Sequence, residues 1–507
     1  MQLLLNGHPF RYECENLCRL FFPYSPVAVE ELAFPPSMEG EAGSAGILGG
    51  TDGEPLAAAC ITGMSGDAYH YGVMVSAEGK TLSKRETHPE HREYLLTDLL
   101  YRLFSEFTGY TPAWGMLTGI HPVKLLRQYC EELGTEGGAE KFRSHCHVSG
   151  KKTELALRTL RAQTPSVELL GENDFSLYVS IPFCPTRCAY CSFVSQSIEK
   201  AQKLVGPYFE LLLLEIEKTA EVARALGLSL VTVYIGGGTP TTLSAEQLRL
   251  LAEKIHACFD FSRCTEFTVE AGRPDTITRE KLEALKQGGV TRISINPQSL
   301  SDEVLQKIGR KHTARDVEEA FRLAETFGFR DINADLIVGL PGDSPGGFRK
   351  TLDGVIAMGA SNITVHSLAL KRSARITSDE SGSALTQHKD AAQAEAMVDY
   401  SVEKLTDSGF EPYYLYRQTR MAGNQENTGW AMPGGICRYN IYTMDESNSV
   451  IACGAGGVTK LKDPYSDRLE RIFNFKYPYE YITRNAEILE RKDGVTRLYE
   501  QFRQRLY

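Results

Sequence analysis

Three cysteines at short, unequal spacing are the part of the sequence with the clearest chemical potential. They lie in Cys184-Pro-Thr-Arg-Cys188-Ala-Tyr-Cys191, a Cys-x3-Cys-x2-Cys pattern. Structural zinc sites and ferredoxin-type iron–sulfur clusters both use four protein ligands. No fourth ligand follows at a matching spacing, because position 193 is Phe193 and the next cysteine is Cys258. Three thiolates on a four-iron cluster would leave one iron open to a chelating substrate.

The other nine cysteines and the scattered histidines fit plainer roles. Cys14 and Cys18 repeat the four-residue spacing without a third cysteine, so we expect two buried thiols. Residues 145–147 read His-Cys-His, but adjacent side chains point in opposing directions and no partner is evident. His366 alternates with apolar neighbours and is expected to be a packed core histidine, although it faces a region where a ligand could lie.

The composition is that of an ordinary globular protein. Of the 507 residues, 42% are hydrophobic and 24% are charged, which argues against wholesale disorder. The formal net charge is −10, and this acidic excess argues against a protein that coats nucleic acid, because phosphate binding needs clustered Lys and Arg. A local basic pocket for a small anion remains compatible with it.

The sequence carries no evident targeting or membrane segment. Its start, Met1-Gln-Leu-Leu-Leu-Asn-Gly, lacks the basic flank and the long apolar stretch of a signal peptide. The longest purely aliphatic run, residues 211–214, is far too short to cross a bilayer. We therefore expect a cytoplasmic protein whose cysteines stay reduced. At about 150 residues per domain, the length predicts roughly three domains.

Six apolar, β-type segments alternate with helical segments from residue 175 onward. The strand-like segments are residues 175–181, 231–235, 266–270, 292–295, 332–338 and 363–370. The main helical segments are residues 205–225, 245–257, 279–286, 314–327 and 345–358. This alternation predicts a parallel sheet with helices outside. Because six units are two fewer than a complete barrel, we expect an α/β fold with an open, TIM-like (β/α)6 partial barrel.

The segments on either side of the predicted barrel have a different pattern. Before it, three strand-like runs, residues 2–5, 57–62 and 69–76, precede a helical pattern over residues 93–107. Two loop-like segments, residues 35–46 and 134–138, interrupt this unit. After it, residues 387–407 read as a helix that ends at Gly409, followed by a Tyr- and Gly-rich region. We predict an α/β accessory domain over residues 1–165, the barrel over 166–375 and an α+β domain over 376–507.

The cysteine spacing is the signature of the radical S-adenosylmethionine (SAM) superfamily, which this chain resembles. In that superfamily the three cysteines hold a [4Fe–4S] cluster, SAM chelates the open iron, and an electron cleaves SAM to methionine and a 5′-deoxyadenosyl radical. Tyr178-Val-Ser-Ile-Pro-Phe-Cys184 and Gly236-Gly-Gly-Thr-Pro-Thr241 resemble two signatures of its oxygen-independent coproporphyrinogen III oxidase family. Three glycines at a strand end would also let backbone N–H groups approach a charged ligand closely.

Polar residues end the later predicted strands, and the resemblance gives them roles. Tyr178 and the three cysteines would form the catalytic centre, and Tyr178, Gly237 and Glu270 would contact the cluster-bound SAM. A second SAM would be surrounded by Tyr190, Gly238, Thr239, Gln298, Arg310 and Asp335. Ala369 is a candidate for either SAM. Each residue also has a structural interpretation, such as a helix cap, a turn or a surface ion pair, and their joint placement at one barrel end favours ligand binding.

Four stretches of the C-terminal region are Pro412-Tyr-Tyr-Leu-Tyr-Arg417, Gly423-Asn-Gln-Glu-Asn-Thr-Gly-Trp430, Cys437-Arg-Tyr-Asn440 and Gly454-Ala-Gly-Gly457, and the N-terminal unit contains Trp114-Gly-Met-Leu-Thr-Gly-Ile-His-Pro122. With these stretches the chain most resembles the HemZ type of this family, with three departures. Ser180 stands where the family usually has His. Tyr439-Asn440-Ile-Tyr-Thr-Met stands where the heme-chaperone branch has His-Asn-x-x-Tyr-Trp, so the His ligand for heme iron is missing. Phe193 stands where the proteobacterial-type oxidase has a fourth cysteine.

The resemblance implies a cytoplasmic oxidoreductase of porphyrin and heme biosynthesis, a coproporphyrinogen dehydrogenase. It would oxidatively decarboxylate coproporphyrinogen III to protoporphyrinogen IX and take electrons from a low-potential donor such as flavodoxin or ferredoxin. Two alternatives stay open at this point: another radical SAM reaction on a tetrapyrrole, such as methyl transfer, and a non-catalytic heme-trafficking chaperone. In an acidic chain, local Arg and Lys at the barrel mouth must bind a tetra-anionic substrate.

Overall fold

The structure, a computed structural model, describes most of the chain. The described residues are 1–23, 25–33, 55–63, 68–119, 121–191, 195–369, 384–418 and 421–504. The loop predicted over residues 35–46 and the position of Phe193 lie outside them. The chain divides into two compact units, one of Met1–Ile120, Leu126–Glu154 and Gln418–Arg420, the other of His121–Leu125, Leu155–Arg417 and Met421–Tyr507.

The first unit is built on a five-stranded sheet with helices. Its strands are β1 (Gln2–Asn6), β2 (Ala28–Glu31), β3 (Leu56–Gly63), β4 (Tyr69–Ala77) and β5 (Lys80–His88), in the order β2-β1-β3-β4-β5. Its main helices are α1 (Arg11–Phe21) and α2 (Glu93–Thr108). The apolar face of α2 predicted this helix, and Leu96, Leu99 and Leu103 are fully buried. Cys14 and Cys18 on α1 are buried in the same core, which confirms the expected thiols.

The loop predicted at residues 134–138 is wrong. Helix α3 (Pro122–Cys146) runs through this segment, and only Gly134 departs from helical geometry, with φ 75° and ψ 168°. Glycine reaches a positive φ without a steric penalty, so one residue kinks the helix and the chain resumes helical structure at once.

The second unit contains all the segments that were predicted to form the barrel. Its strands are β6 (Asp174–Ile181), β7 (Phe183–Cys184), β8 (Gln196–Ser197), β9 (Ser229–Gly237), β10 (Glu266–Gly272), β11 (Arg292–Ile295), β12 (Asp331–Val338), β13 (Asn362–Ser367), β14 (Glu411–Tyr416), β15 (Asn427–Ala431), β16 (Ser449–Cys453), β17 (Val458–Lys462) and β18 (Leu469–Phe473). The helices that follow α3 are α4 (Gly150–Glu168), α5 (Ile198–Ala225), α6 (Ala245–Cys258), α7 (Arg279–Gln287), α8 (Asp302–Lys307), α9 (Ala314–Thr326), α10 (Pro345–Ala357), α11 (Ala384–Asp407), α12 (Arg438–Asp445), α13 (Pro478–Thr483) and α14 (Asn485–Gln504). Among the described helices, none combines the length and apolar character that crossing a membrane requires.

The six predicted strands form the parallel centre of one sheet, which confirms the α/β partial barrel. Strands β6 and β9 to β13 pair side by side in chain order, each parallel to the next. Helices lie between consecutive strands, and two of them begin with a capping box, at Ser244 and at Thr313. Parallel strands end on one side, so the carboxyl ends of all six are brought to the same end of the sheet.

Strands from the C-terminal region extend this sheet at both edges. At one edge β15 pairs antiparallel with β13 and carries β14 beyond it. At the other edge β16 pairs parallel with β6, and β17 and β18 follow antiparallel. Within the described part of the chain, this sheet has eleven strands. The domain boundary near residue 375 stays a prediction.

A buried ion pair fastens the C-terminal helix α14 to the barrel helix α5. Lys492 Nζ lies 2.8 Å from Glu215 Oε1, and the two side chains are 3% and 0% exposed. The same carboxylate accepts hydrogen bonds from Asn474 Nδ2 at 2.7 Å, from the Gly454 N–H at 2.7 Å and from the Tyr481 hydroxyl at 2.5 Å. Every lone pair of this buried anion therefore has a donor, which a buried charge requires.

Lys492→Met should destabilise the protein by about 3–5 kcal/mol, because it leaves the buried Glu215 carboxylate without its counter-charge. Denaturant unfolding of the full chain measures this loss. The double variant Glu215→Gln/Lys492→Met should recover most of it. As a control, Lys218→Met breaks a half-exposed pair with Asp493 and should cost less than about 1 kcal/mol. Equal losses for the two Lys variants would contradict the prediction.

Candidate active site

The three cysteines lie in the loop that follows the first barrel strand; residues 184–191 are called the cluster loop below. Cys184 ends β7 and is 9% exposed, Cys188 is 8% exposed, and Cys191 is half-buried. Thr239 Oγ1 donates a hydrogen bond to Cys184 Sγ at 3.6 Å, which joins the cluster loop to the end of the second barrel strand. Burial raises the pKa of the Cys184 thiol, and the bond from Thr239 opposes this rise.

Among the described residues, no three His, Cys, Asp or Glu side chains converge on one point as the ligands of a single metal ion do. A four-iron cubane bonds each thiolate to a different iron, so its three ligands do not need such a point. The donor set of the cluster loop therefore suits an iron–sulfur cluster: three thiols, two of them buried, in one short loop.

The glycines after β9 allow close packing against this loop. A Cβ on Gly238 would lie 2.6 Å from the Phe183 carbonyl oxygen and 2.9 Å from Cys184 Sγ, and Gly237 has φ +113°. The backbone N–H groups of this turn are already used: those of Gly238 and Thr239 donate to the carbonyls of Ile181 and Phe183, both at 2.8 Å. The N–H groups of Gly238 and Thr239 therefore hold the turn onto the cluster loop, whereas the N–H of Gly237 faces the Glu270 carboxylate. A role of this turn in ligand binding stays a prediction.

Glu270, near the carboxyl end of β10, is hydrogen-bonded to a tyrosine that belongs to a stack of three tyrosine rings. The Tyr234 hydroxyl donates to Glu270 Oε1 at 2.7 Å. The Tyr234 ring lies 4.4 Å from that of Tyr439 and 6.2 Å from that of Tyr178. Burial and the nearby Asp335 raise the pKa of Glu270 to about 7, although the bond from Tyr234 opposes this. Sequence reasoning missed Tyr234 and the stacking role of Tyr439, since a buried tyrosine has no motif of its own.

Asp335, near the end of β12, lies beside Glu270 and His366. Asn333 Nδ2 donates to Asp335 Oδ1 at 2.9 Å, and His366 Nε2 lies 3.8 Å from the same oxygen. Burial alone would raise the pKa of Asp335, but the donors His366 and Asn333 hold it below its ordinary value. His366 is 27% exposed and also faces the Tyr416 hydroxyl, so the expectation of a packed core histidine is wrong.

Arg310 joins the cluster loop from the opposite side. Its Nη2 donates to the Tyr190 hydroxyl at 3.1 Å and its Nη1 to the Asn296 carbonyl at 2.7 Å. Its Nε is buried without a hydrogen-bond partner, an orphaned donor that an anionic ligand such as a carboxylate would satisfy. Burial lowers the pKa of the neighbouring His312 to about 4, and Arg310 adds to this, so the imidazole stays neutral.

Gln298 and Ala369 occupy the ends of two further strands. Gln298 is 6% exposed and has a positive φ of 68°, and its N–H donates to the Asp335 carbonyl at 2.9 Å. Its backbone hydrogen bond therefore links the segment that follows β11, the fourth barrel strand, to β12, the fifth. Ala369 lies two residues beyond β13 and forms an isolated bridge with Met421. The contacts thus link Thr239 and Arg310 to the cluster loop and link Asp335 to Gln298 and Glu270, whereas Ala369 is linked to the C-terminal part of the chain.

His145 and His147 have structural partners, and so does Ser180. His145 stacks on Tyr94 at 3.6 Å, and His147 Nε2 lies 2.6 Å from Asp98 Oδ1. The Ser180 hydroxyl donates to the Ala455 carbonyl at 2.7 Å, so the residue that replaces the family's usual His ties β6 to the C-terminal region.

Comparisons with known proteins place this site in a family context. Residues 178–355 match the Radical SAM superfamily. The oxygen-independent coproporphyrinogen-III oxidase-like protein HemZ of Bacillus subtilis (strain 168) is 36% identical over 394 residues, which cover 77% of this chain and 78% of that protein. The heme chaperone HemW of the same organism is 38% identical over 197 residues, which cover 39% of this chain and 51% of that protein.

A solved structure shows the same fold. Coproporphyrinogen III oxidase (HemN) from Escherichia coli, described as a radical SAM enzyme, aligns with a TM-score of 0.50 at 23% identity, over 64% of this chain and 71% of that chain. The radical SAM family implies a [4Fe–4S] cluster and SAM binding, and the cluster loop, with its three thiols, and the orphaned Arg310 Nε are compatible with both. Because the match to HemZ spans more than three quarters of both chains, this chain belongs to the oxygen-independent coproporphyrinogen III oxidase-like family of radical SAM proteins.

Proposed function

We propose that this chain catalyses the oxidative decarboxylation of coproporphyrinogen III to protoporphyrinogen IX. The observation that supports the proposal is that the cluster loop, held by Thr239 and Arg310, and the neighbouring carboxylates Glu270 and Asp335 all lie at the carboxyl ends of the strands of one partial barrel. The HemZ relative, which is described as oxygen-independent coproporphyrinogen-III oxidase-like, supports the choice of substrate.

The cluster would be held by Cys184, Cys188 and Cys191. When bound and reduced, SAM would supply a 5′-deoxyadenosyl radical, and a hydrogen atom would pass to it from the β-carbon of a propionate side chain. Loss of CO₂ and of one electron to an acceptor then leaves a vinyl group, and a second propionate reacts in the same way. We propose that Tyr178, Gly237 and Glu270 contact this SAM.

The residues of the chain position the reactants rather than exchange protons with them. Hydrogen abstraction depends on holding two carbon atoms close together, so the rigid strand ends contribute most. Glu270 and Asp335 are suited to accept hydrogen bonds from a ribose diol or to face the SAM sulfonium. Arg310, with its unpartnered Nε, is suited to a carboxylate. We propose a second SAM near Tyr190, Gly238, Thr239, Gln298, Arg310 and Asp335, with Ala369 as a candidate for either molecule.

The packing of Tyr439 favours an enzyme over a heme chaperone. Tyr439 occupies the position of the chaperone branch's heme-ligating His, yet its side chain is 8% exposed and stacks on Tyr234, the partner of Glu270. At this place the chain has an aromatic wall of the candidate site instead of a free metal ligand. This supports substrate chemistry inside the barrel.

The experiment that tests the function is an anaerobic turnover of the reconstituted protein with coproporphyrinogen III, SAM and a low-potential reductant. We expect two CO₂ per substrate and a divinyl product, identified by mass spectrometry. SAM cleavage without decarboxylation would overturn the substrate assignment. S-adenosylhomocysteine with a methylated tetrapyrrole would establish methyl transfer instead, and stoichiometric heme binding without SAM cleavage would establish a chaperone.

The electron source is part of the same proposal. Reductive cleavage of SAM needs a low-potential electron donor, and a flavodoxin or ferredoxin has the required chemistry. In the turnover experiment, replacing a chemical reductant by reduced flavodoxin should sustain product formation.

A further inference from the structure

Arg273, directly after β10, is a buried arginine to which no role has been assigned above. Its side chain is 3% exposed. Its Nε and Nη2 bond both oxygens of Asp275, at 2.9 Å and 2.7 Å, so that its charge is paired. Its remaining nitrogen, Nη1, reaches the cluster loop and donates to Thr186 Oγ1 at 2.6 Å.

Thr186 lies between the first and second cysteines of the cluster loop and connects two supports. Its hydroxyl accepts the bond from Arg273 and donates to the Gly309 carbonyl at 3.1 Å. The next residues of the loop are held from the same side, because the Ala189 N–H donates to the Ile308 carbonyl at 3.0 Å. The hydroxyl of Thr186 therefore joins the end of the third strand, the cluster loop and the segment after α8.

The geometry of Arg273 requires a guanidinium group. A planar fork can bond a carboxylate with two nitrogens and still present a third nitrogen to another acceptor, which an ammonium cannot do at a fixed orientation. Burying this charge is costly, so the arrangement persists only if all its bonds are made.

We propose that Arg273 is a positioning residue that holds the cluster loop, through Thr186, in the conformation that binds the iron–sulfur cluster. The inference rests on the proposed cluster at Cys184, Cys188 and Cys191 and adds a residue that contacts neither the cluster nor SAM. Arg273 acts on the cysteines through the loop backbone, so its effect exists in the metal-free protein as well.

The test compares thiol reactivity in the metal-free, full-length chain. In Arg273→Gln, the alkylation rates of Cys184 and Cys188 by iodoacetamide, followed by mass spectrometry, should rise about ten-fold, the change expected from losing a charge-assisted hydrogen bond that holds the loop closed. After reconstitution, iron per chain should fall at least about two-fold and the electron paramagnetic resonance signal of the reduced cluster should broaden, because the loop samples more conformations.

Arg292→Gln is the matched control. Arg292 is also buried, at 1% exposure, but it begins β11 at the opposite, amino end of the strands. The substitution Arg292→Gln should lower the thermal unfolding temperature of the chain without changing the alkylation rates of Cys184 and Cys188 or the iron content. Equal alkylation rates in Arg273→Gln and the parent chain would overturn the proposal, as would an equal rise in both variants.

Thr186 offers a second route that leaves the buried arginine in place. Thr186→Val removes the hydroxyl and should reproduce the faster alkylation, while Thr186→Ser should restore the parent rate. The effects of Arg273→Gln and Thr186→Val should be non-additive, since both break one connection. If the parent chain takes up no cluster, the proposed cofactor fails, whereas the alkylation comparison still decides whether Arg273 holds the loop.

Discussion

Replacing Cys188 by alanine is expected to remove the broad brown iron–sulfur absorbance of the anaerobically reconstituted protein, and SAM cleavage with it. The cluster loop contains three thiols, and within its ten-residue neighbourhood the sequence offers no fourth cysteine that could replace one. A cluster held by two protein ligands in place of three would be lost during desalting. Absorbance and the iron and sulfide content per chain should fall to background, and the rate of 5′-deoxyadenosine formation should fall at least about 100-fold, the scale of losing a catalytic group.

The matched control is Cys60→Ala. Cys60 is 6% exposed, close to the 8% of Cys188, but it lies in β3 of the other compact unit. Its variant should keep the full absorbance and turnover. If the Cys188→Ala protein retained four irons per chain, the assignment of the cluster to these cysteines would be wrong. If the parent protein contained zinc and took up no iron, the three cysteines would form a zinc site instead.

The affinity for SAM should depend on pH with a midpoint near 7, set by Glu270. The ordinary pKa of this side chain is 4.5, and burial with the adjacent Asp335 raises it to about 7 in the ligand-free chain. SAM offers this group a cationic centre and a diol, which favour the carboxylate. Below pH 7 binding must expel a proton, so affinity should fall by up to about ten-fold per pH unit, and above pH 7 it should level off. Isothermal titration calorimetry between pH 5.5 and 8.5 measures the curve.

Three variants identify the titrating group. Glu270→Gln should bind SAM weakly at every pH and lose the dependence. Tyr234→Phe removes a hydroxyl that donates to the carboxylate, so the midpoint should move above pH 7. Tyr499→Phe, which removes another buried hydroxyl on α14 that bonds Ser449, should leave the midpoint unchanged. A midpoint that stays near 7 in Glu270→Gln would assign the titration to another group.

The raised pKa of Glu270 also makes the stability of the folded chain depend on pH, in the opposite direction to the affinity for SAM. Because the pKa of Glu270 is raised in the folded chain, the folded state keeps a proton that the unfolded chain has already lost between about pH 4.5 and 7. The contribution of Glu270 to stability is therefore fully present below pH 4.5 and is lost as the pH rises through 7. Ligand affinity and stability of the ligand-free chain change in opposite directions over this window.

The barrel was predictable because each of its strands is a short apolar run between amphipathic helices. Residues 292–295, for example, form β11 as predicted, with all four side chains buried. The edges of the sheet were not predictable in the same way. Strand β16 pairs with β6 across more than 260 residues of sequence, and no local pattern encodes a partner so far away. Polar β5 was missed because its exposed side chains leave only a weak alternation.

The site was predictable where a side chain belongs to a motif and not where it serves another side chain. The cluster-loop cysteines and Glu270 follow strands at recognisable spacing. Tyr234 and Arg273 were missed, since their roles are hydrogen bonds to Glu270 and Thr186 that only the fold creates. The packing of the turn at the end of β9 was missed as well, since the N–H groups of Gly238 and Thr239 bond the Ile181 and Phe183 carbonyls only once the fold has formed.

Both edges of the parallel sheet are covered by strands that come last in the chain, β15 and β16. During synthesis the six barrel strands therefore leave the ribosome with two unpaired edges. The edge at β13 stays open until β15, residues 427–431, has been made, and the edge at β6 until β16, residues 449–453, has been made. Unpaired edges invite intermolecular pairing. A nascent chain of this protein thus depends on its own final segment to close the sheet. A fragment that ends at residue 375 would lack both covering strands and would leave the two edges of the parallel sheet unpaired.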